Sequence, residues 1–202
     1  MFKNALFLIT LFALFSCSGT SEKKAESTSQ DNDSELSSKN IAFNDQIIDG
    51  HPVEHYLEMG NMDELVLQYY HGNLEVAENA ETDSLLNTLI NSPQNTLPFY
   101  YKCFMNICEN ADSTMEDYLG NYCISLLENQ TRYCVQKLKQ GHPDYFTGLV
   151  ANAVYSHENW EEEINDLSLK LHLNLEEENP DLRKELDLFL VGVKNDTEHM
   201  PR

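Results

Sequence analysis

Basic residues are scarce in this chain. Lys and Arg number 13 against 34 Asp and Glu, a formal charge of −21. Nucleic acid and anionic lipid headgroups are both held by clustered Lys and Arg, so this balance argues against either as a binding partner. The apolar run from Ala5 to Phe15 is eleven residues long, whereas a permanent membrane helix needs about 20. There is no Gly-rich phosphate loop, nucleophile elbow or Ser/His/Asp arrangement, and no C-x-x-C spacing for a structural metal. Nothing in the sequence calls for a cofactor. Strand-like alternation is nearly absent, which points to an all-α fold.

The N-terminus carries the most specific signal. Lys3 precedes the apolar run, Thr10 is its one polar residue, and Ser16-Cys17 follow it. The run has the length of a signal peptide's apolar region. A small residue and then cysteine at its end resembles the bacterial lipobox. That resemblance implies that the chain is cut after residue 16 and that the Cys17 thiol is lipidated, anchoring the protein in a membrane of the cell envelope. A periplasm-facing position is the expectation, with surface exposure the alternative. Removing residues 1–16 takes away only Lys3, so the charge moves from −21 to −22.

Residues 18–40 contain one leucine and no aromatic residue among Ser, Asp, Glu and Lys. Such a stretch buries too little apolar surface to offset its ordering entropy. Residues 17–45 are therefore expected to form a lipid-anchored, disordered tether, and 46–202 one helical domain. Asp31 to Glu35 imitates a calcium loop, but Leu36 stands where the sharp turn needs glycine.

Within the domain, Met115, Tyr118, Leu119, Tyr122 and Leu126 mark one helical stripe. Phe146, Leu149, Val150, Ala153 and Val154 mark a second, and Tyr100, Cys103, Phe104 and Ile107 a third. Ser113 to Glu116 reads as a capping box. Pro93, Pro143 and Pro180 sit where helices can begin, and Glu161, Glu162 and Glu163 suit a first turn. The spacing predicts helices near 52–59, 62–71, 82–91, 97–109, 113–128, 131–140, 143–156, 159–177 and 180–194. Short connections predict antiparallel helical hairpins, which can stack as a short helical solenoid. Residues 164–175 also show a strand period, with "IIDGHPV" the one weak strand partner, but Ile164, Leu167, Leu171 and Leu175 fit a helix and helix is preferred. The many tyrosines and phenylalanines between Phe99 and Trp160 read as core, with a tyrosine-lined groove the alternative.

"HPVEHYLEMG" contains His51, Glu54 and His55 in the order H-x-x-E-H, similar to the inverted zinc peptidases. The resemblance implies that His51 and His55 are Zn²⁺ ligands and Glu54 the general base, with a downstream glutamate such as Glu128 as third ligand. Against it, Pro52 puts His51 at or before the first turn, and the strands of that family's fold are missing. A capped, exposed short helix with no metal is the reading preferred.

Cys103, Cys108, Cys123 and Cys134 remain after Cys17. Cys103 and Cys108 on one helix would be about 8–9 Å apart, beyond disulfide reach. A hairpin turning near residue 111 brings Cys103 towards Cys123 as the candidate disulfide, while the next hairpin brings Cys134 towards Cys123. Buried free thiols are the other outcome.

The functional expectation is a membrane-anchored, non-enzymatic envelope lipoprotein whose acidic helical domain binds a protein, a cationic one fitting best. Two alternatives stand beside it: an immunity or inhibitor lipoprotein that neutralises a basic toxin, and a zinc hydrolase using residues 51–55.

Overall fold

The computed structural model describes residues 42–141, 143–175 and 180–200. The signal peptide, Cys17 and the tether up to residue 41 lie outside the described residues. The domain begins slightly before the expected boundary at 46. Phe43 is buried against Tyr70 and Phe99, the Ala42 amide donates to the Tyr70 carbonyl, and Asp45 pairs with Lys102 at 2.6 Å.

The fold is all-α. Among the described residues the helices are α1 (Val53–Leu57), α2 (Glu64–Tyr70), α3 (Ala80–Ile90), α4 (Leu97–Glu109), α5 (Ser113–Asn129), α6 (Thr131–Leu138), α7 (Asp144–Tyr155), α8 (Trp160–Asn174) and α9 (Pro180–Glu198). Each falls on an expected helix. Phe146, Leu149, Val150, Ala153 and Val154 are all buried on α7, and Tyr100, Cys103, Phe104 and Ile107 on α4.

Among the described residues the strand pairing lies in "IIDGHPV". β1 (Ile47–Ile48) pairs antiparallel with β2 (His51–Pro52), Ile48 opposite His51. Asp49 (φ 49°) and Gly50 (φ 80°) make the two-residue turn. Positive φ at both positions is what a tight hairpin with the native strand twist requires, and Asp-Gly adopts it at low cost. The segment thus pairs with itself rather than with residues 164–175, which are helical up to Asn174. Asp49 holds this hairpin to α6 by accepting from the Tyr133 hydroxyl at 2.7 Å and pairing with Lys137.

Helix boundaries correct two details. The cap of α5 is Asp112, not Ser113: Asp112 Oδ1 accepts from the Thr114 and Met115 amides at 3.0 and 3.1 Å. A charged carboxylate one residue earlier reaches the same orphan N–H groups and binds them more strongly than a hydroxyl. Pro93 does not start a helix either; its carbonyl accepts from Thr96 and Leu97 in a turn that leads into α4. Pro180 does stand at the first position of α9.

Three pairs of alternate helices run side by side in the same direction. Asp63 and Tyr69 of the α2 segment bond to Tyr100 and Asn106 of α4. Asp83 of α3 bonds to Tyr118 and Tyr122 near the start of α5, and Asn91 to Asn129 at its end. Thr147 and Ala151 of α7 meet Gly192 and Thr197 of α9. Parallel packing of α2 on α4, α3 on α5 and α7 on α9 is what folded-back hairpins produce when they pile on one another. Helices α5 and α7 form the most extensive pair, and α7 also packs on α9 and α4. No described helix is long and apolar enough to cross a membrane.

Candidate functional site

The residues of the H-x-x-E-H motif are placed by the β1–β2 hairpin. His51 ends up in β2, and α1 starts only at Val53. Both imidazoles are exposed and stacked on each other, ring centroids 4.5 Å apart and 18° from parallel. Tyr56 packs edge-on to both rings and donates to the Ile48 carbonyl at 2.9 Å. Glu54 is exposed. Glu128 sits at the end of α5, bonded to Lys170 at 2.9 Å. Among the described residues no three His, Cys, Asp or Glu side chains converge as a metal-ligand group. The ligand set implied by the zinc-peptidase resemblance is therefore not brought together. The Asp49-Gly50 turn takes His51 out of the helix, and although the two imidazoles stack on each other, Glu128 is engaged by Lys170 and no third ligand joins them among the described residues.

Four buried cysteines lie in the α4–α6 region, none of them bridged to another in this structure. Cys108, rather than Cys103, faces Cys123, with 3.7 Å between the sulfurs. A hairpin turning near residue 111 brings Cys103 to Cys123 only if α4 and α5 lie along each other, whereas α4 packs mainly on α3 and α7 and α5 mainly on α7 and α3. That shift moves the meeting point five residues along α4. Burial pushes the thiols of Cys103, Cys123 and Cys134 above their ordinary range, as expected for groups without solvent to support a thiolate.

Between α3 and α5, Asp83 Oδ1 accepts two phenol hydrogens, from Tyr118 at 2.5 Å and Tyr122 at 2.6 Å. These bonds, that of Tyr118 first, hold the Asp83 carboxyl below the usual range. Both phenols are raised, by burial first and then by the same carboxylate. The tyrosines are thus consumed in holding α3 on α5. A polar groove of about 610 Å³ opens where α5, α6 and α8 meet, lined by Gln94, Glu128, Gln130, Tyr133, Gln136 and Asn174. Its amides serve the backbone: Asn174 donates to the Glu128 carbonyl and Gln130 to that of Ser92.

The feature left without an internal partner is on α8 and α9. Of the five large apolar side chains most exposed among the described residues, four are Leu169, Leu173, Leu188 and Val191, at 54–61%. Helices α8 and α9 are antiparallel, since His172 meets Asp187 at 3.0 Å while the Leu175 carbonyl accepts from Arg183 at 3.2 Å. Helix α8 buries Ile164, Leu167 and Leu171, and α9 buries Leu182, Leu186, Phe189, Leu190 and Val193. At about 100° per residue, Leu169 and Leu173 lie beyond His172 on the side away from the core, and Leu188 and Val191 lie likewise beyond Asp187. Because the helices are antiparallel, both sets turn to the same outer side. The result is one apolar stripe astride the His172–Asp187 contact. Around it the two helices carry nine Asp and Glu against four Lys and Arg. Lys170 is bound to Glu128, and Lys194 lies 3.9 Å from Glu198. The helices are legible in the sequence but this face is not; its signal is the pair of leucines, 169 and 173, left over once the buried stripe is assigned.

Comparison of the chain with protein-family models, with curated proteins and with solved structures finds no match.

Proposed function

We propose that this chain is a membrane-anchored envelope lipoprotein, non-enzymatic, whose acidic helical domain binds another protein through the outer face of the α8–α9 hairpin. The anchor reading rests on the apolar run ending at Ser16-Cys17, which resembles a lipobox; a lipid on Cys17 would hold the domain in the cell envelope, with the periplasm-facing side the reading we favour over surface exposure. The observation that carries the binding reading is the Leu169, Leu173, Leu188 and Val191 stripe set in an acidic surround. A contiguous apolar patch rimmed by charge marks an interaction surface.

The occupant is a cationic amphipathic helix of a partner protein. Its apolar side covers the four aliphatic side chains, and Lys or Arg on its flanks meet Glu162, Asp166 and Asp187, all exposed. An acidic partner would face the repulsion of the whole chain. Neutralisation of a basic toxin is the special case in which that partner is the toxin.

The test uses the full chain and two synthetic helical peptides with the same leucine face, one flanked by lysines and one by glutamates. The lysine peptide should bind, weaken with added salt, and lose at least tenfold in affinity to a Leu169→Asp/Leu188→Asp variant that still folds. Equal binding of both peptides, or undiminished binding to the variant, would exclude this face.

A further inference from the structure

We propose that Cys108 and Cys123 are a redox couple, a dithiol that closes to a disulfide between α4 and α5 by exchange with a small disulfide of the glutathione type. The pair stands on its geometry and needs neither the lipid anchor nor the docking face. The two sulfurs are already in van der Waals contact at 3.7 Å, 15 residues apart in the chain. Closing the bond requires the two sulfurs to approach by about 1.7 Å from their present contact. Of the other two thiols, Cys134 is turned to the Leu126 carbonyl at 3.8 Å, and Cys103 lies inside the core.

Access to the two sulfurs is unequal. Cys108 forms part of the wall of a cavity of about 440 Å³, together with Ala111, Glu116, Tyr145, Asn152 and Met200. Cys123 is sealed from solvent, and burial together with the Cys108 sulfur raises its thiol well above the ordinary range. This asymmetry assigns an order. The Cys108 thiolate attacks the small disulfide, forming a mixed disulfide and releasing one thiolate. Cys123, on losing its proton, then attacks the Cys108 sulfur and expels the second thiolate. Two protons leave the protein, its two thiols are oxidised, and the small disulfide is reduced to two thiols. The second step is intramolecular between groups in contact, so it gains the effective concentration of a preformed pair.

Closing the couple ties together two consecutive helices whose main neighbours are α3 and α7. The constraint falls on the region where Asn106 of α4 receives Tyr69 and where α5 presents Tyr118 and Tyr122 to Asp83. A redox change at one buried pair is therefore read out as rigidity across the first half of the domain.

The experiment uses the full chain with Cys17→Ser, so that four thiols remain. The reduced protein is equilibrated with reduced and oxidised glutathione at graded ratios, quenched in acid and analysed for free thiols and for cross-linked peptides. The expected result is loss of two thiols and one cross-linked peptide pair containing Cys108 and Cys123, with a higher thermal midpoint for the oxidised form. Cys103→Ala and Cys134→Ala should leave the cross-link in place, while Cys108→Ala and Cys123→Ala abolish it. Should either of these last two variants fail to fold, the cross-linked peptide of the parent chain decides alone. Four free thiols at every ratio would overturn the proposal, and so would a cross-link joining Cys103 or Cys134 to Cys123.

Discussion

A Cβ atom on Gly120 of α5 would lie 2.6 Å from the carbonyl oxygen of Leu149 on α7 and 2.8 Å from the Cβ of Ala153. The two helices therefore touch backbone to backbone at the centre of the domain, and glycine is there for the absence of a side chain. Gly120→Ala gains about 0.5–1 kcal/mol of helix preference but must push the two helices apart, at a cost of about 1–3 kcal/mol. The net expectation is destabilisation, measured as a lower midpoint in urea unfolding. Gly148, on the neighbouring helix α7, has open space around its Cβ position. Gly148→Ala is expected to be neutral or stabilising, so equal loss in both variants would contradict the packing account.

The Asp83 site sets a dependence on pH at both ends of the scale. The Asp83 carboxyl is held low by the phenols of Tyr118 and Tyr122. Its contribution is therefore present above the unfolded carboxyl value of about 3.9 and is lost as pH falls through the lower folded value. The raised phenols act in the opposite sense. Their contribution is complete below about pH 10, where unfolded tyrosine ionises, and is lost as pH rises beyond it. A Tyr118→Phe/Tyr122→Phe variant should return the Asp83 carboxyl to the ordinary range by NMR titration and flatten the alkaline limb of the stability curve. A carboxyl titration unaffected by the double substitution would rule out this arrangement.

Leu188 of α9 is more than half exposed, at 54%. Leu188→Lys should change unfolding free energy by no more than about 0.5 kcal/mol, as surface substitutions do. The same change should abolish partner binding at the α8–α9 face. Large destabilisation would instead make Leu188 part of the fold, with no docking role.

His55→Ala is expected to leave both folding and metal content unchanged. Elemental analysis after dialysis against a weak chelator should find no stoichiometric zinc in the parent chain. Zinc at one equivalent that disappears in the variant would restore the hydrolase reading, because only a fixed coordination sphere survives that competition.

Cys17→Ser should block acylation and cleavage of the precursor. Metabolic labelling with a fatty acid reads this directly, and label retained by the variant would refute the anchor.

Much of the helical framework was legible in the sequence, because an amphipathic helix writes its buried stripe at 3.6-residue spacing whatever it packs on. The stripes on α4 and α7 could be read this way residue by residue, and the alternating leucines of α8 resolved into buried 167 and 171 and exposed 169 and 173. Local turn chemistry was legible only in part. Asp49-Gly50 favours a hairpin, yet a two-residue strand pair leaves too short a period to detect, and His51 was read as lying on or beside a helix. Ser113 reads as a cap in the sequence where Asp112 provides it, since both residue types cap helices and only the amide positions separate them.

Which side chains meet across helices was decided by the tertiary structure alone. Cys108 rather than Cys103 reaches Cys123 because α4 and α5 pack chiefly on other helices, and interhelical register is a property of crossing geometry that no single helix encodes. The outer face of α8–α9 likewise exists only once Leu173 and Leu188, on separate helices, are turned to one side by antiparallel packing. Helix periodicity is a local property written in nearest neighbours along the chain; a site assembled from two helices depends on how they are set against each other, and that angle is fixed by the whole core.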